Sequence, residues 1–271
     1  MTTAKVDFSS VGWRSVEWTN LVTVYLRAYE SRSPRPILGD RAAADAVDRI
    51  NYDFKRIHRA AQPWGNQFLV ALRAKKLDVW TADFMHRHPD AVVLHLGCGL
   101  DTRAFRINPP PTVLWFDLDQ PGVIELRRKL YDETDAHRMI GSSVTDPGWL
   151  EPIPGRPTLV VAEGLLMYLA EREVRELLGR LTDRFDSGEL LFDTLSPSGP
   201  RLSKIFTNGI VKWGIRDAHE IEAWNLGLRF IEQASALAGL ESIPVTPQRL
   251  VYRLTYATPM RNYDVVNRFG F

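Results

Sequence analysis

The 271-residue chain has a single cysteine, Cys98, which excludes an internal disulfide. Lying between two glycines, Cys98 reads as a small filler. A thiol nucleophile would need an oriented base beside it, and none stands near. No metal site is expected. Charge is also lacking in any one sign: the net charge is +1 with 25% charged residues, so there is no electrostatic footprint for nucleic acid or an anionic membrane surface. A small-molecule ligand is the better expectation. No run approaches the ~20 apolar residues that span a bilayer. The nearest candidate, 158–170, carries Glu163 in its middle. The opening MTTAKVDFSSVGW lacks an apolar run of signal-peptide length, so a cytoplasmic protein is expected.

What the chain does have centres on VVLHLGCGLDTRAFR, residues 92–106. An apolar run enters Gly97-Cys98-Gly99, and Asp101-Thr102-Arg103 can open a helix. This reads as strand, tight turn, helix. The glycines permit a sharp turn and a close backbone approach to a ligand. Such a turn binds nucleotide-like cofactors in many doubly wound α/β proteins.

Residues 1–90 read as an entirely helical cap, with no strand before Ala91. One helix runs from about 13 to 31. A second, capped by Asp40, carries Ala44, Val47, Ile50, Phe54 and Ile57 on one stripe. A third spans about 64–88. After the glycine turn come apolar strands ending at Asp117-Leu118-Asp119, near 138–143, at 158–162 and at 189–194, with helices from Pro121 and from about 171 to 185. This alternation predicts an α/β fold with a parallel sheet and right-handed crossovers, forming a core over 91–271 with a lid insertion near 196–228. Toward the end, a helix near 228–239 and an antiparallel hairpin of 240–245 with 250–257 are the economical reading. Monomer and homodimer both remain open.

Ligands of such sheets bind at the carboxyl ends of the strands. Those ends here offer Gly97, Cys98 and Gly99, then Asp117 or Asp119, then Ser143-Val144, then Glu163. An acid some twenty residues beyond the glycines can accept from two ribose hydroxyls. That pattern alone fits NAD as well as S-adenosylmethionine. Thr102 stands where the dinucleotide fingerprint has its third glycine, and Glu163 adds negative charge where a methionine ammonium would sit. Both favour the sulfonium cofactor.

The segments HLGCGLDTRAFR, WFDLDQP, SSVTDPGWL and VVAEGLLMYL, in order over about 71–194, resemble the leucine carboxyl methyltransferase family of class I S-adenosylmethionine-dependent methyltransferases, in particular its polyketide-type O-methyltransferase branch. The resemblance implies a Rossmann-like, seven-stranded, mostly parallel sheet with a C-terminal antiparallel hairpin and a helical N-terminal cap. It implies S-adenosyl-L-methionine as cofactor and S-adenosyl-L-homocysteine as product. By motif position, Arg73 would clamp the methionine carboxylate and Gly97 would line the cofactor. Asp119, with Asp117 as near competitor, would hold the ribose. Ser143 and Val144 would flank adenine, Glu163 would meet the amine, and Tyr168 would lie near the emerging methyl group.

Methyl transfer from a sulfonium requires an oriented acceptor, exclusion of water and, for a hydroxyl acceptor, help with deprotonation. His219, His58 and Asp217 are the candidate bases, Tyr168 and His219 the catalytic candidates. His95, inside a strand, reads as structural, and Asp193 as either a site acid or a cap. Trp213, Trp224 and Phe206 could form an apolar lid. The expected function is O-methylation of a small polyketide-like or aromatic metabolite. The alternatives are a carboxyl methyltransferase acting on a small acid or a protein C-terminus, and a non-catalytic nucleotide-binding protein.

Overall fold

The computed structural model describes residues 5–13, 15–206 and 209–271, with the side chains of Val16, Ile205 and Phe206 outside that description. The first three cap helices begin where a side chain satisfies backbone N–H groups that the first turn leaves free. A short strand β1 (Val6–Asp7) precedes α1 (Val16–Ser31), where Ser15 Oγ accepts from Trp18 N at 3.2 Å. Asp40 accepts from Ala43 N at 3.0 Å and starts α2 (Arg41–Arg49). The expected single helix over 40–57 then breaks. Ile50–Asn51 forms β2, parallel to β1, and Asp53 caps a separate α3 (Phe54–Ala61) by accepting from Arg56 N. The continuous stripe concealed this break, because a second N-cap aspartate outweighs periodicity. The expectation of an entirely helical first ninety residues is corrected accordingly. Gln62, in the left-handed region at φ 44°, separates α3 from the long α4 (Pro63–Arg87).

The core follows in the expected alternation: β3 (Val92–Leu96), α5 (Arg103–Ile107), β4 (Leu114–Asp119), α6 (Pro121–Arg128), β5 (His137–Gly141), β6 (Thr158–Ala162), α7 (Glu171–Arg184) and β7 (Gly188–Leu195). Beyond it lie α8 (Gly199–Phe206), α9 (His219–Glu222), β8 (Arg229–Ser235), α10 (Thr246–Tyr256) and β9 (Asp264–Gly270). The seven main strands lie in the order β5-β4-β3-β6-β7-β9-β8, with β9 antiparallel to both of its neighbours. The antiparallel C-terminal pair is therefore present, but on other residues than the sequence suggested. Residues 229–235 form an edge strand instead of a helix, and its polar positions are those of a strand half open to water. The stretch 246–256 is a helix, for which Pro247 in the first turn was the signal. The final segment supplies the strand that slots between β7 and β8.

Layers cover both faces of this sheet. Leu77, Trp80 and Phe84 of α4 pack on Val93, Trp115, Val161 and Val266, while Val174, Leu177, Leu178 and Leu181 of α7 pack on Leu94, Val160, Leu190 and Phe269. A third cluster joins Leu21, Val24 and Val47 of the cap to Cys98, Leu100 and Ile124. The cap thus sits on the glycine turn itself. Strand order reverses between β4 and β6 on either side of β3, the switch point where open sheets of this kind bind ligands. Among the described residues no helix is long and apolar enough to cross a membrane.

Candidate active site

Gly97 and Gly99 adopt φ of 62° and 51°, the left-handed region where a Cβ is unfavourable. Space enforces the same choice. A Cβ on Gly97 would stand 2.9 Å from Leu165 Cδ1, and one on Gly99 would stand 2.6 Å from Asn20 Oδ1. The turn is therefore pressed between α1 and the segment after β6. Asp119, at the end of β4, accepts from Gly99 N at 2.8 Å through Oδ2 and from Gln120 N at 2.7 Å through Oδ1.

Beside the turn lies a buried ion network. Arg27 reaches Asp101 at 2.6 Å and Glu163 at 3.0 Å. Arg73 holds Glu163 at 3.2 Å, Asp193 at 2.9 Å and Asp264 at 3.2 Å. Arg103 binds Asp78 and Glu163, and Arg106 binds Asp40, Asp78 and Asp101. Among the described residues this network joins four arginines to six carboxylates, so its formal charge is negative. Burial acts to raise the Glu163 carboxyl, yet Arg27, Arg73 and Arg103 outweigh it and hold the group down to about 2. Further along, the excess of acid tells. Burial pushes Asp264 up to about 7 against the pull of Arg73, and Asp193 is raised in the same way.

Two cavities meet at Gly97, Thr19 and Tyr168. The first, of about 130 Å³, is polar and lined by Arg27, Arg73, Cys98, Gly99, Glu163 and Asn20, among others. Here Arg27 Nε and Asn20 Nδ2 are buried donors with no hydrogen-bond partner among the described residues. The second, of about 380 Å³, is largely apolar and lined by Asp119, Ser143, Val144 and Leu165, with Ile210 and Lys212 from the 196–228 stretch. Arg73, Gly97, Cys98, Gly99, Asp119, Ser143, Val144, Glu163 and Tyr168 are thus brought together.

Asp117 is not. It is fully buried beneath the turn, and its carboxylate meets Arg127 Nε at 2.9 Å, Trp115 Nε1 at 3.0 Å, His95 Nδ1 at 3.1 Å and His137 Nε2 at 2.6 Å. Burial would raise it, but Arg127 and the histidines hold it well below the usual carboxylate range. His95 lines the polar cavity but is fixed by Asp117, as a structural residue would be. His219 lies exposed on α9, paired with Glu222, and lines neither cavity. Asp217 is exposed beside it and accepts from His219 N. His58 meets the Tyr25 hydroxyl at 2.8 Å, also outside both cavities. Trp213 and Trp224 pack in or against the core under α7, and the Phe206 side chain lies outside the described residues. Sequence reasoning missed Asn20, Thr23 and Arg27. Their spacing with Val24, at i, i+3, i+4 and i+7 of one helix, marks a polar stripe on the buried face.

A family model described as leucine carboxyl methyltransferase matches residues 20–145. A relative from Streptomyces glaucescens, named tetracenomycin polyketide synthesis O-methyltransferase TcmP, is 47% identical over 228 residues, covering 82% of this chain and 83% of the relative. The chain belongs to the leucine carboxyl methyltransferase family. It is an S-adenosylmethionine-dependent methyltransferase. Another relative, the S-adenosyl-L-methionine-dependent methyltransferase dpfgK of Gibberella zeae, is 34% identical over 262 residues, covering 88% of each chain. The fold of this methyltransferase is shared by a solved Thermobifida fusca structure described as a candidate methyltransferase. That structure has a TM-score of 0.58 and 19% identity, with coverage of 90% of this chain and 93% of the other.

Proposed function

We propose that this chain transfers the methyl group of S-adenosylmethionine to an oxygen of a small, flat, partly aromatic metabolite of polyketide type. The observation that carries the cofactor half is the pairing of a polar cavity, lined by two arginines and two carboxylates, with an apolar one across Gly97. A ligand with an amino acid at one end and a nucleoside at the other needs that division, and a zwitterionic amino-acid end suits a lining that offers charges of both signs. The unpartnered donors Arg27 Nε and Asn20 Nδ2 fit a carboxylate, and Glu163, already ionised, fits an ammonium. The acceptor half is supported by the relative named for polyketide O-methylation.

When bound, the cofactor supplies an electrophilic methyl group whose leaving group is a neutral thioether. The chain's own part is binding and orientation. Arg27, Asn20 and Arg73 would hold the carboxylate end, Asp119 the ribose, and Ser143 and Val144 the adenine. Tyr168 borders both cavities, and burial raises its phenol, so at neutral pH it serves as a hydroxyl that can orient the acceptor. The small-molecule substrate and a cytoplasmic site of action belong to the same proposal.

Calorimetry with S-adenosylhomocysteine tests the cofactor half, because Glu163→Ala should abolish measurable binding that the wild-type chain shows. The family model's description favours a second reading, methylation of a carboxylate. Mass spectrometry after incubation with labelled cofactor separates the two, since an ester label is lost in base and an aryl ether label is kept.

A further inference from the structure

The Asp264 carboxylate is only half satisfied. Its Oδ2 accepts from Arg73 Nη1 at 3.2 Å, whereas Oδ1 is buried with no hydrogen-bond partner among the described residues. A buried acceptor left without a donor is costly, and native structures rarely keep one without a use.

Asp264 opens β9, whose antiparallel direction brings its first residue to the same edge of the sheet as the ends of β6 and β7. There it lines a third cavity, of about 340 Å³, a size suited to a multi-ring molecule. The floor is the start of α4 and the roof is α10. Two hydrogen bonds fix that roof, from Tyr252 Oη to Gly65 O at 2.7 Å and from Gln248 Nε2 to Trp64 O at 2.6 Å. The walls are chiefly apolar and aromatic, with Leu69, Leu237, Tyr252 and Tyr263 inside, and Val251 and Met260 at the mouth exposed by 58% and 53%. Among the described residues Asp264 is the only charged side chain on the lining.

Arg73 joins this cavity to the cofactor cavity. The same guanidinium contacts Asp264 and Glu163, each at 3.2 Å. A molecule resting on Asp264 therefore lies one side chain from the polar cavity. With no lysine, arginine or histidine on the lining, an acid as the buried anchoring group would meet only Asp264. A neutral hydroxyl would supply the donor that Oδ1 lacks.

We propose that this cavity takes the methyl acceptor, a flat and largely apolar aromatic molecule, and that one of its hydroxyls donates to Asp264 Oδ1. The assignment rests on the methyl-transfer reading above and adds where the acceptor sits and what recognises it. Asp264 acts as a specificity residue.

The test is equilibrium binding to the chain saturated with S-adenosylhomocysteine, so that no turnover is involved. The probes are 2-naphthol, whose hydroxyl has no internal acceptor, and naphthalene, the same ring system without the hydroxyl. At pH 8, above the value of about 7 to which burial raises Asp264, the hydroxylated probe should bind at least tenfold tighter, as a hydrogen bond to a charged acceptor implies. In Asp264→Asn, Arg73 keeps the amide oxygen facing it and turns the NH₂ group into the Oδ1 position. A donor then replaces the acceptor, and the preference should fall to about twofold or less. Leu237→Trp fills the cavity and should weaken both probes at least tenfold, while its binding of S-adenosylhomocysteine reports that it has folded. Equal binding of the two probes, no binding of either, or unchanged binding in Leu237→Trp would overturn the proposal while leaving the cofactor reading intact. Failure of the wild-type chain to bind S-adenosylhomocysteine would overturn both.

Discussion

Arg27 of α1 donates to Glu163 at the end of β6 across 3.0 Å, with only 3% and 4% of the two side chains exposed. One contact thus ties the first cap helix to the sheet and fixes the acid that faces the polar cavity. Removing Arg27 takes a cation from between two buried carboxylates and leaves the acid excess of the network larger, although Glu163 keeps Arg73 and Arg103 and Asp101 keeps Arg106. Arg27→Met is expected to lower unfolding free energy by about 3–5 kcal/mol, read as a shift of the urea midpoint with an unchanged slope.

Glu163→Gln keeps the shape of the site and removes its charge. If Glu163 receives the ammonium, loss of one charge-assisted hydrogen bond should weaken S-adenosylhomocysteine by a factor of about ten or more. Methylthioadenosine, which lacks the amino-acid portion, should bind the variant as it binds the wild type. Calorimetry with both ligands decides the matter, and an equal loss for the two would place Glu163 outside the amine site.

The sheet and the glycine turn were legible because they follow short-range rules: apolar runs buried on both faces read as central strands, and glycines mark the tight turn. Arg73, Gly97, Asp119 and Glu163 could be placed from motif position alone. The arginine network could not. Arg27 and Arg103 look like solvated helix residues until their carboxylate partners, remote in sequence, are brought beside them. Asp117 and Asp119 are two residues apart on one strand, and their different fates depend on Arg127, ten residues on, reaching back beneath the turn. The last strands were misassigned because β8 is an edge strand with polar residues on it, and because β9 finds its place only by pairing with β7 and β8. Such pairings are non-local and leave little trace in a window of ten residues.

Stability should depend on pH through Asp264. Its carboxyl is raised by burial from 3.8 to about 7, with Arg73 opposing and Asp193 and Glu163 reinforcing the rise. The folded chain therefore holds more protons than the unfolded one between these values, and stability must fall as pH rises through that window. The contribution is complete below pH about 3.8 and gone above about 7. Glu163 works in the opposite sense: lowered from 4.5 to about 2, it contributes above pH about 4.5 and loses that contribution as pH falls toward 2. Urea unfolding at intervals from pH 4 to 8 should show the decline in the wild type and a flatter profile in Asp264→Asn. A parallel decline in the variant would assign the effect to Asp193, the other raised acid on Arg73.

Tyr168 and His219 were the two catalytic candidates, and their surroundings predict opposite outcomes. Tyr168 borders both of the cavities that meet at Gly97, so it is within reach of whatever lies between them. Burial raises the phenol, which works against a role as base near neutral pH. What remains is one neutral hydrogen bond, typically worth about 1 kcal/mol. Tyr168→Phe should therefore lower kcat about fivefold, with KM for the cofactor changed less. His219 lies on the surface with its ring against Glu222, and that pairing raises its pKa. It lines none of the three cavities, so His219→Ala should leave kcat and both KM values within about twofold. Steady-state assays with labelled cofactor distinguish the cases. A tenfold fall in kcat for His219→Ala, with Tyr168→Phe unaffected, would require the acceptor to approach from the α9 side and would move the reaction centre away from the three cavities.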